Sequence, residues 1–278
     1  MECPPLLTVA LFFWYLQEMK TCHLFLFVTT VLFIRPAYGL DFKGFQPLPP
    51  YGVFSTFSAE SLEKGKTGFA LCGEKSMDPE FSRFTVLFAF GISDSLELGI
   101  TVPYVFGRDE MDGFEDIAFG IKYRFLDERK YSPAAAFILF GSPPTGRDEF
   151  STEGNYGGGF ILSKKVGPVR GHVNLFYSRP GTERFKDDIT FAVGIDFSAS
   201  HNINFLGELY GKKSYSGRID RVEPRFGYRI RMGEALFTTV GAGLDIRHSS
   251  PEFRLWLTVS YFLSPEKKKI KRIEEIED

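Results

Sequence analysis

The sequence predicts an all-β protein: a transmembrane antiparallel β-barrel of about twelve strands, preceded by an N-terminal signal peptide. Three observations predict it. Apolar residues recur with a period of two, the stretches that carry this pattern are about ten residues long, and the breaks between them alternate between short and long. Strands of soluble proteins average roughly five or six residues, whereas a strand crossing a bilayer at a tilt needs about 9–11.

The clearest stretch is Phe81 to Phe106. Phe84, Val86, Phe88 and Phe90 share one side, with Arg83, Thr85, Leu87 and Ala89 on the other. After Ile92-Ser93-Asp94-Ser95 the alternation resumes, with Leu96, Leu98, Ile100, Val102, Tyr104 and Phe106 opposite Glu97, Gly99, Thr101, Pro103 and Val105. Two such runs around a short Ser/Asp break read as a hairpin.

The other elements follow the same rule. Lys66 to Glu74 precedes the hairpin, with Phe69 and Leu71 outward. After it come Phe114 to Leu126; Pro133 to Ser142, apolar on both faces and therefore of undetermined orientation; Asn155 to Lys165; and Val169 to Ser178. Asp188 to Ser198, Ile203 to Lys212, Ile219 to Met232, Ala235 to His248 and Glu252 to Leu263 bring the count to twelve. An even number returns both termini to one side, as bacterial single-chain barrels require. The breaks near 92–95, 127–132, 166–168, 199–202 and 233–234 are short, and those near 75–80, 107–113, 143–154, 179–187 and 213–218 are mostly longer, as periplasmic turns and extracellular loops are. The short break at 249–251 departs from this alternation.

Energetics decide which face meets lipid. Ile219 to Met232 alternates Arg221, Glu223, Arg225, Gly227, Arg229 and Arg231 with Val222, Pro224, Phe226, Tyr228 and Ile230. An Arg facing lipid costs roughly 2–4 kcal/mol at the midplane, so the arginines face inward. The same argument sends Arg83, Glu97, Asp116, Lys122, Arg124, Arg170, Asp196, Glu208, Glu223, Asp245, Arg247 and Arg254 into the lumen as the expected pore lining. Two readings of that lining stay open. Arg221, Arg225, Arg229 and Arg231 form a basic ladder for passing solutes, or they pair with Glu97, Asp116, Asp196, Glu208, Glu223 and Asp245 and close the interior. Twelve strands fall between the roughly eight that leave a filled interior and the sixteen to eighteen that leave an aqueous channel.

Composition fits this class. The chain of 278 residues has 31 Phe and 28 Gly, and its mean hydropathy of −0.08 suits strands that hide their membrane character by alternating. Beyond the N-terminus no apolar run reaches the roughly 18 residues of a membrane helix. A net charge of −2 with no basic patch gives no reason to expect a nucleic-acid partner. At the N-terminus Met19-Lys20, the apolar run Leu24 to Ile34 and the small residues of Ala37-Tyr38-Gly39 read as a signal peptide cleaved before Leu40. Met1 to Glu18 is explained either by a true start at Met19 or by a retained N-terminal anchor. The expected organisation is therefore signal peptide 1–39, an irregular periplasmic lead-in 40–63, a barrel 64–263 and a charged periplasmic tail 264–278. Cleavage would remove Cys3 and Cys22, leaving Cys72 without a disulfide partner.

On these residues the chain resembles the outer-membrane barrels grouped as the transporter family named after the MetA pathway of phenol degradation. The resemblance runs from about Ser58 to Leu263 and is carried by Ser93 to Gly107, Gly113 to Phe125, Pro143-Pro144-Thr145-Gly146 and Ile203 to Gly211, in that order. It implies a Gram-negative outer-membrane barrel for uptake of small, often hydrophobic or aromatic compounds, with no set of functional residues to carry over. Its implied partners are outer-membrane lipid, a small-molecule solute and the barrel-insertion machinery, whose C-terminal aromatic signal Tyr261-Phe262-Leu263 resembles. Here that signal is followed by Ser264 to Asp278.

No enzyme is expected, and no cofactor. A lipase-like barrel would place His and Ser two apart on the lipid face; His172 is followed at that spacing by Asn174, and both point inward. His201 sits in a turn and His248 at a strand end, without metal spacing. Gly157-Gly158-Gly159 precedes no helix and is not a nucleotide loop. The remaining readings are a passive pore, a structural or surface-exposed barrel without transport, and a lipid-modifying barrel.

Overall fold

The computed structural model describes residues 44–77, 80–108, 111–183, 186–214, 219–247 and 252–264. The signal-peptide segment 1–39 and nearly all of the tail 264–278 lie outside the described residues.

The strands are β1 (Thr67–Met77), β2 (Glu80–Ser93), β3 (Leu96–Arg108), β4 (Met111–Phe114), β5 (Ala118–Leu126), β6 (Ala134–Ser142), β7 (Asn155–Val166), β8 (Val169–Pro180), β9 (Asp188–Ser198), β10 (Ile203–Ser214), β11 (Ile219–Arg231), β12 (Leu236–Leu244) and β13 (Phe253–Leu263). Every pairing is antiparallel, β1 pairs with β13, and each strand pairs with the next in sequence except at β4 and β5, which both pair with β3. The sheet is thus a closed barrel. Strands β4 and β5 lie end to end along β3, so thirteen strands make twelve staves.

The period of two does the work expected of it. In β13, Phe253, Leu255, Leu257, Val259, Tyr261 and Leu263 are exposed while Arg254, Trp256, Thr258, Ser260 and Phe262 are buried. Exposed apolar side chains and buried charged ones are the inverse of a water-soluble fold and the signature of a lipid-facing barrel. The orientation of β6 is fixed by what it touches: Ala134, Ala136 and Ile138 are buried against Phe57 inside, and Leu139 is exposed outside.

Three expectations need correction. The stave read as Phe114 to Leu126 is broken at Glu115–Ile117, because the Asp116 carboxylate leaves the ladder to hold the loop after β6. The strand read as Ala235 to His248 stops at Leu244, so the next break begins at Asp245 and the short-break anomaly disappears. Finally, the lead-in does not hang in the periplasm. From Gly44 onward it threads the barrel, with Leu48, Val53, Thr56, Phe57, Ser58, Ala59 and Leu62 buried.

Candidate functional site: the lumen and the segment that fills it

The inserted segment cannot join a ladder at Pro47, Pro49 and Pro50, which carry no N–H. It folds back on itself instead, through the Gly52–Phe57 bridge and a Val53 N–H bond to the Thr56 carbonyl of 2.8 Å. Its free backbone groups are met by inward side chains of the wall, as buried polar groups must be. One carboxylate oxygen of Glu208 accepts from the N–H groups of Phe54, Ser55 and Thr56 at 3.1, 2.8 and 2.8 Å, and from the Thr56 hydroxyl at 2.7 Å. Successive N–H groups converging on one anion form a nest, and bonds to a charged acceptor are the stronger kind. Asn174 pairs with both backbone groups of Phe57, accepting at 2.6 Å and donating at 3.0 Å. Arg229 donates to the Gly52 carbonyl at 2.6 Å, and Glu97 accepts from the Leu62 N–H at 2.8 Å.

Aromatic rings of the plug sit where the wall has no side chain. A Cβ on Gly120 would lie 2.4 Å from the Phe45 ring, and one on Gly241 would lie 2.2 Å from that of Phe54. Both glycines have the inward parity of their strands, so they serve as notches.

Ser163 and His172 stand 2.8 Å apart, a spacing that could suit a nucleophile and its base. Here the Ser163 oxygen accepts from the Ala59 N–H at 2.8 Å beneath the plug, and the pair holds backbone.

Many of the inward charges in the half nearer the long loops form one continuous chain. Glu115 pairs with Arg83 at 2.7 Å, Arg83 with Glu74 at 2.9 Å, Glu74 with Arg254 at 3.1 Å and Arg254 with Glu252 at 2.5 Å. It continues from Glu252 to Arg221 at 2.6 Å, on to Asp245 and Glu223 at 3.5 and 3.8 Å, from Glu223 to Arg225 at 3.0 Å, and from Arg225 to Glu208 at 2.7 Å. The Arg225 guanidinium also lies 4.5 and 5.0 Å from the ring centres of Tyr210 and Trp256. Pairing at this density is what lets so many charges be buried at all.

The residues expected to line the pore can now be placed. Arg83, Glu97, Lys122, Glu208, Glu223, Arg225, Arg229 and Asp245 are buried inside; Lys122 pairs with Glu97 at 3.2 Å and Arg229 with Asp196 at 2.9 Å. Asp116 is inside but holds a loop, accepting from the N–H groups of Thr145, Gly146 and Thr152 and the hydroxyls of Ser151 and Thr152. That use explains the Pro143-Pro144-Thr145-Gly146 turn, and it seats Phe150 of the same loop on Phe81 and Val105. Arg170 and Arg124 lie at the end with the short turns, paired with Glu60 at 2.6 Å and Asp127 at 2.9 Å. Arg231 is exposed at that same mouth. Arg247 lies beyond the end of β12, exposed at the rim, with Nε donating to the Ile219 carbonyl at 3.2 Å.

Sequence reasoning missed the plug, Glu74, Glu115 and Glu252. Glu74 shares the inward parity of Cys72 and was legible on that ground; Glu115 and Glu252 lie outside the ladders, where parity has no meaning.

The plug leaves a cavity on each side. Toward the long loops, about 90 Å³ is enclosed by Phe45, Phe57, Ile138, Phe140 and Phe176 on one side and Tyr210, Lys212 and Arg225 on the other. Toward the short turns, about 320 Å³ is bounded by Tyr51, Glu60, Arg170, Arg229, Arg231 and Phe237, among others. Burial pushes the Tyr51 phenol above its ordinary range, opposed by the hydrogen bond from Lys66, so the ring enters this cavity neutral.

A closed twelve-stave barrel with an apolar outer face and a charged, occupied lumen is a β-barrel of the outer-membrane kind. Residues 73–265 match the family described as putative MetA-pathway of phenol degradation, and the chain belongs to it. A comparison with curated protein sequences finds no match. Among solved structures the chain is similar to the KdgM porin in complex with disordered oligogalacturonate, at 12% identity and a TM-score of 0.54, covering 70% of this chain and 98% of that one. It is similar to an outer membrane channel from Pseudomonas putida F1, at 12% identity and 0.55 over 74% and 98% of the two chains. The NanC porin gives 7% and 0.57 over 69% and 98%. At these identities the likeness is one of fold.

Proposed function

We propose that the protein is a passive uptake channel for small molecules in the outer membrane of a Gram-negative bacterium. The reading includes export by a signal peptide cleaved after Gly39, and recognition of the aromatic end of β13 by the insertion machinery. The observation that carries it is the occupation of a closed barrel's lumen by a segment that is not part of the wall, with cavities left on either side of it. Wall strands are held by ladders; among the described residues, the plug is held between Gly52 and Leu62 largely by side chains such as Glu208, Asn174, Ser163 and Glu97. Bonds of that kind contribute about 0.5–3 kcal/mol each, so a shift of the segment costs far less than opening the barrel. The apolar side of the outer cavity suits solutes with a hydrophobic or aromatic part. Porins and a channel among the structural neighbours share this fold, which supports the same reading.

Conductance in planar bilayers tests it. The native protein is expected to pass a small, steady current, and Glu208→Gln, which weakens the nest, to raise it at least twofold. A barrel that inserts but stays silent in both forms would favour a structural role and overturn the channel reading.

A further inference from the structure

We infer that the periplasmic-side cavity is a binding site for a small organic monoanion, a carboxylate joined to an apolar group, on its way out of the barrel. The inference deepens the channel reading and rests on it. Three guanidinium groups, Arg170, Arg229 and Arg231, face two carboxylates, Glu60 and Asp196, which leaves a surplus of one positive charge. Two of the three cations are committed, Arg170 to Glu60 at 2.6 Å and Arg229 to Asp196 at 2.9 Å. Arg231 is the uncommitted one. Its Nε donates to the Gly233 carbonyl at 2.9 Å, which fixes the head group, and among the described residues no carboxylate pairs with it. A guanidinium fixed through Nε keeps its terminal nitrogens for a planar, two-oxygen acceptor.

The rest of the cavity supplies the apolar contact. Arg231 lies 6.0 Å from the ring centre of Phe237, and Tyr51 and Phe237 both border the space. Arg170 adds a second unmet donor, since its buried Nε has no hydrogen-bond partner. A volume of about 320 Å³ lies at the lower end of the range for small-molecule sites. The opposite mouth differs: Arg221 and Arg225 there are each paired with carboxylates. An anion leaving the plug would therefore meet, on the periplasmic side, a fixed guanidinium that no carboxylate pairs with among the described residues.

Ligand-observed fluorine NMR on the full-length protein in detergent tests this, with 4-fluorobenzoate, 4-fluorobenzylammonium and inorganic phosphate competition as probes. Fluorobenzoate is expected to bind in the millimolar range or tighter, the ammonium analogue at least tenfold more weakly, and phosphate to compete poorly because it lacks the apolar part. Arg231→Gln should weaken fluorobenzoate at least fivefold, while Arg247→Gln, at the exposed rim and lining neither cavity, should leave it within twofold. Equal binding of the two fluorinated probes, equal binding by native protein and Arg231→Gln, a larger loss in Arg247→Gln, phosphate competing as well as benzoate, or no binding up to about 10 mM would each overturn the inference. Liposome swelling with a neutral sugar on the same preparations separates the two proposals: swelling without anion binding removes this site and leaves the channel, and no swelling removes the channel.

Discussion

Two walls of the same lumen are built from opposite chemistry. On the side of β1, β2, β11 and β13, the inward residues nearer the long loops include Glu74, Arg83, Arg221, Glu223, Arg225 and Arg254, linked into one chain of ion pairs, while Ala70, Leu87, Ala89 and Phe262 of the same wall pack on Leu48 and Leu62 nearer the short turns. On the side of β6–β8, Ala134, Ala136, Ile138, Phe140, Ile161 and Phe176 make an apolar surface. The plug is amphipathic to match. Phe45 and Phe57 stack on each other at 5.5 Å and lie against the apolar wall, while the N–H groups of Phe54 to Thr56 turn to Glu208 at the end of the charged one. The difference teaches that a barrel of intermediate girth does not have to be filled by its own strands. A short segment with two unlike faces fills it, provided the walls differ in the same sense.

Substitutions that break this contrast should have graded effects. The largest belongs to Arg225→Ala, which strips Glu208 and Glu223 of a buried cation; it is expected to cost about 3–5 kcal/mol, read as a lower midpoint of thermal unfolding in detergent. Next is Gly241→Leu, which puts a side chain where the Phe54 ring lies; overpacking of about 1–3 kcal/mol should be relieved by displacement of the plug, so single-channel conductance rises while the barrel still migrates as folded on unheated gels. On the apolar wall, Ile138→Val removes one methylene and should cost about 0.5–1.5 kcal/mol by the same unfolding measurement. Smallest is Arg247→Ala at the exposed rim, expected to stay within about 0.5 kcal/mol of the native protein in stability. If Arg247→Ala matched Arg225→Ala, the distinction between chain members and rim charges would fail.

The barrel itself was legible because its two faces meet solvents as different as lipid and a polar interior. The alternation in β2, β3 and β13 could be read residue by residue, and the lipid cost of arginine was enough to orient β11. Parity ceased to inform where the chain left the ladder. Asp116 was assigned to a strand that breaks so that its carboxylate can reach Thr145 and Thr152, and Arg247 was assigned to one that has already ended. The plug was hidden for another reason. Prolines ruled out a strand for residues 44–62, and a segment that is not a strand was placed outside the barrel. Two signals argued otherwise: Phe45, Leu48, Val53, Phe54, Phe57 and Leu62 are too apolar for a solvated lead-in, and inward glycines at 120 and 241 leave room that a pore alone does not need.

The account stands most directly on the claim that residues 44–62 occupy the lumen between the two walls. Single-channel conductance of the native protein against a chain lacking those residues tests it. Removal of the segment should raise conductance several-fold while the barrel still inserts; a deleted chain that inserts and conducts at the native level would place the segment outside the permeation path and contradict the claim.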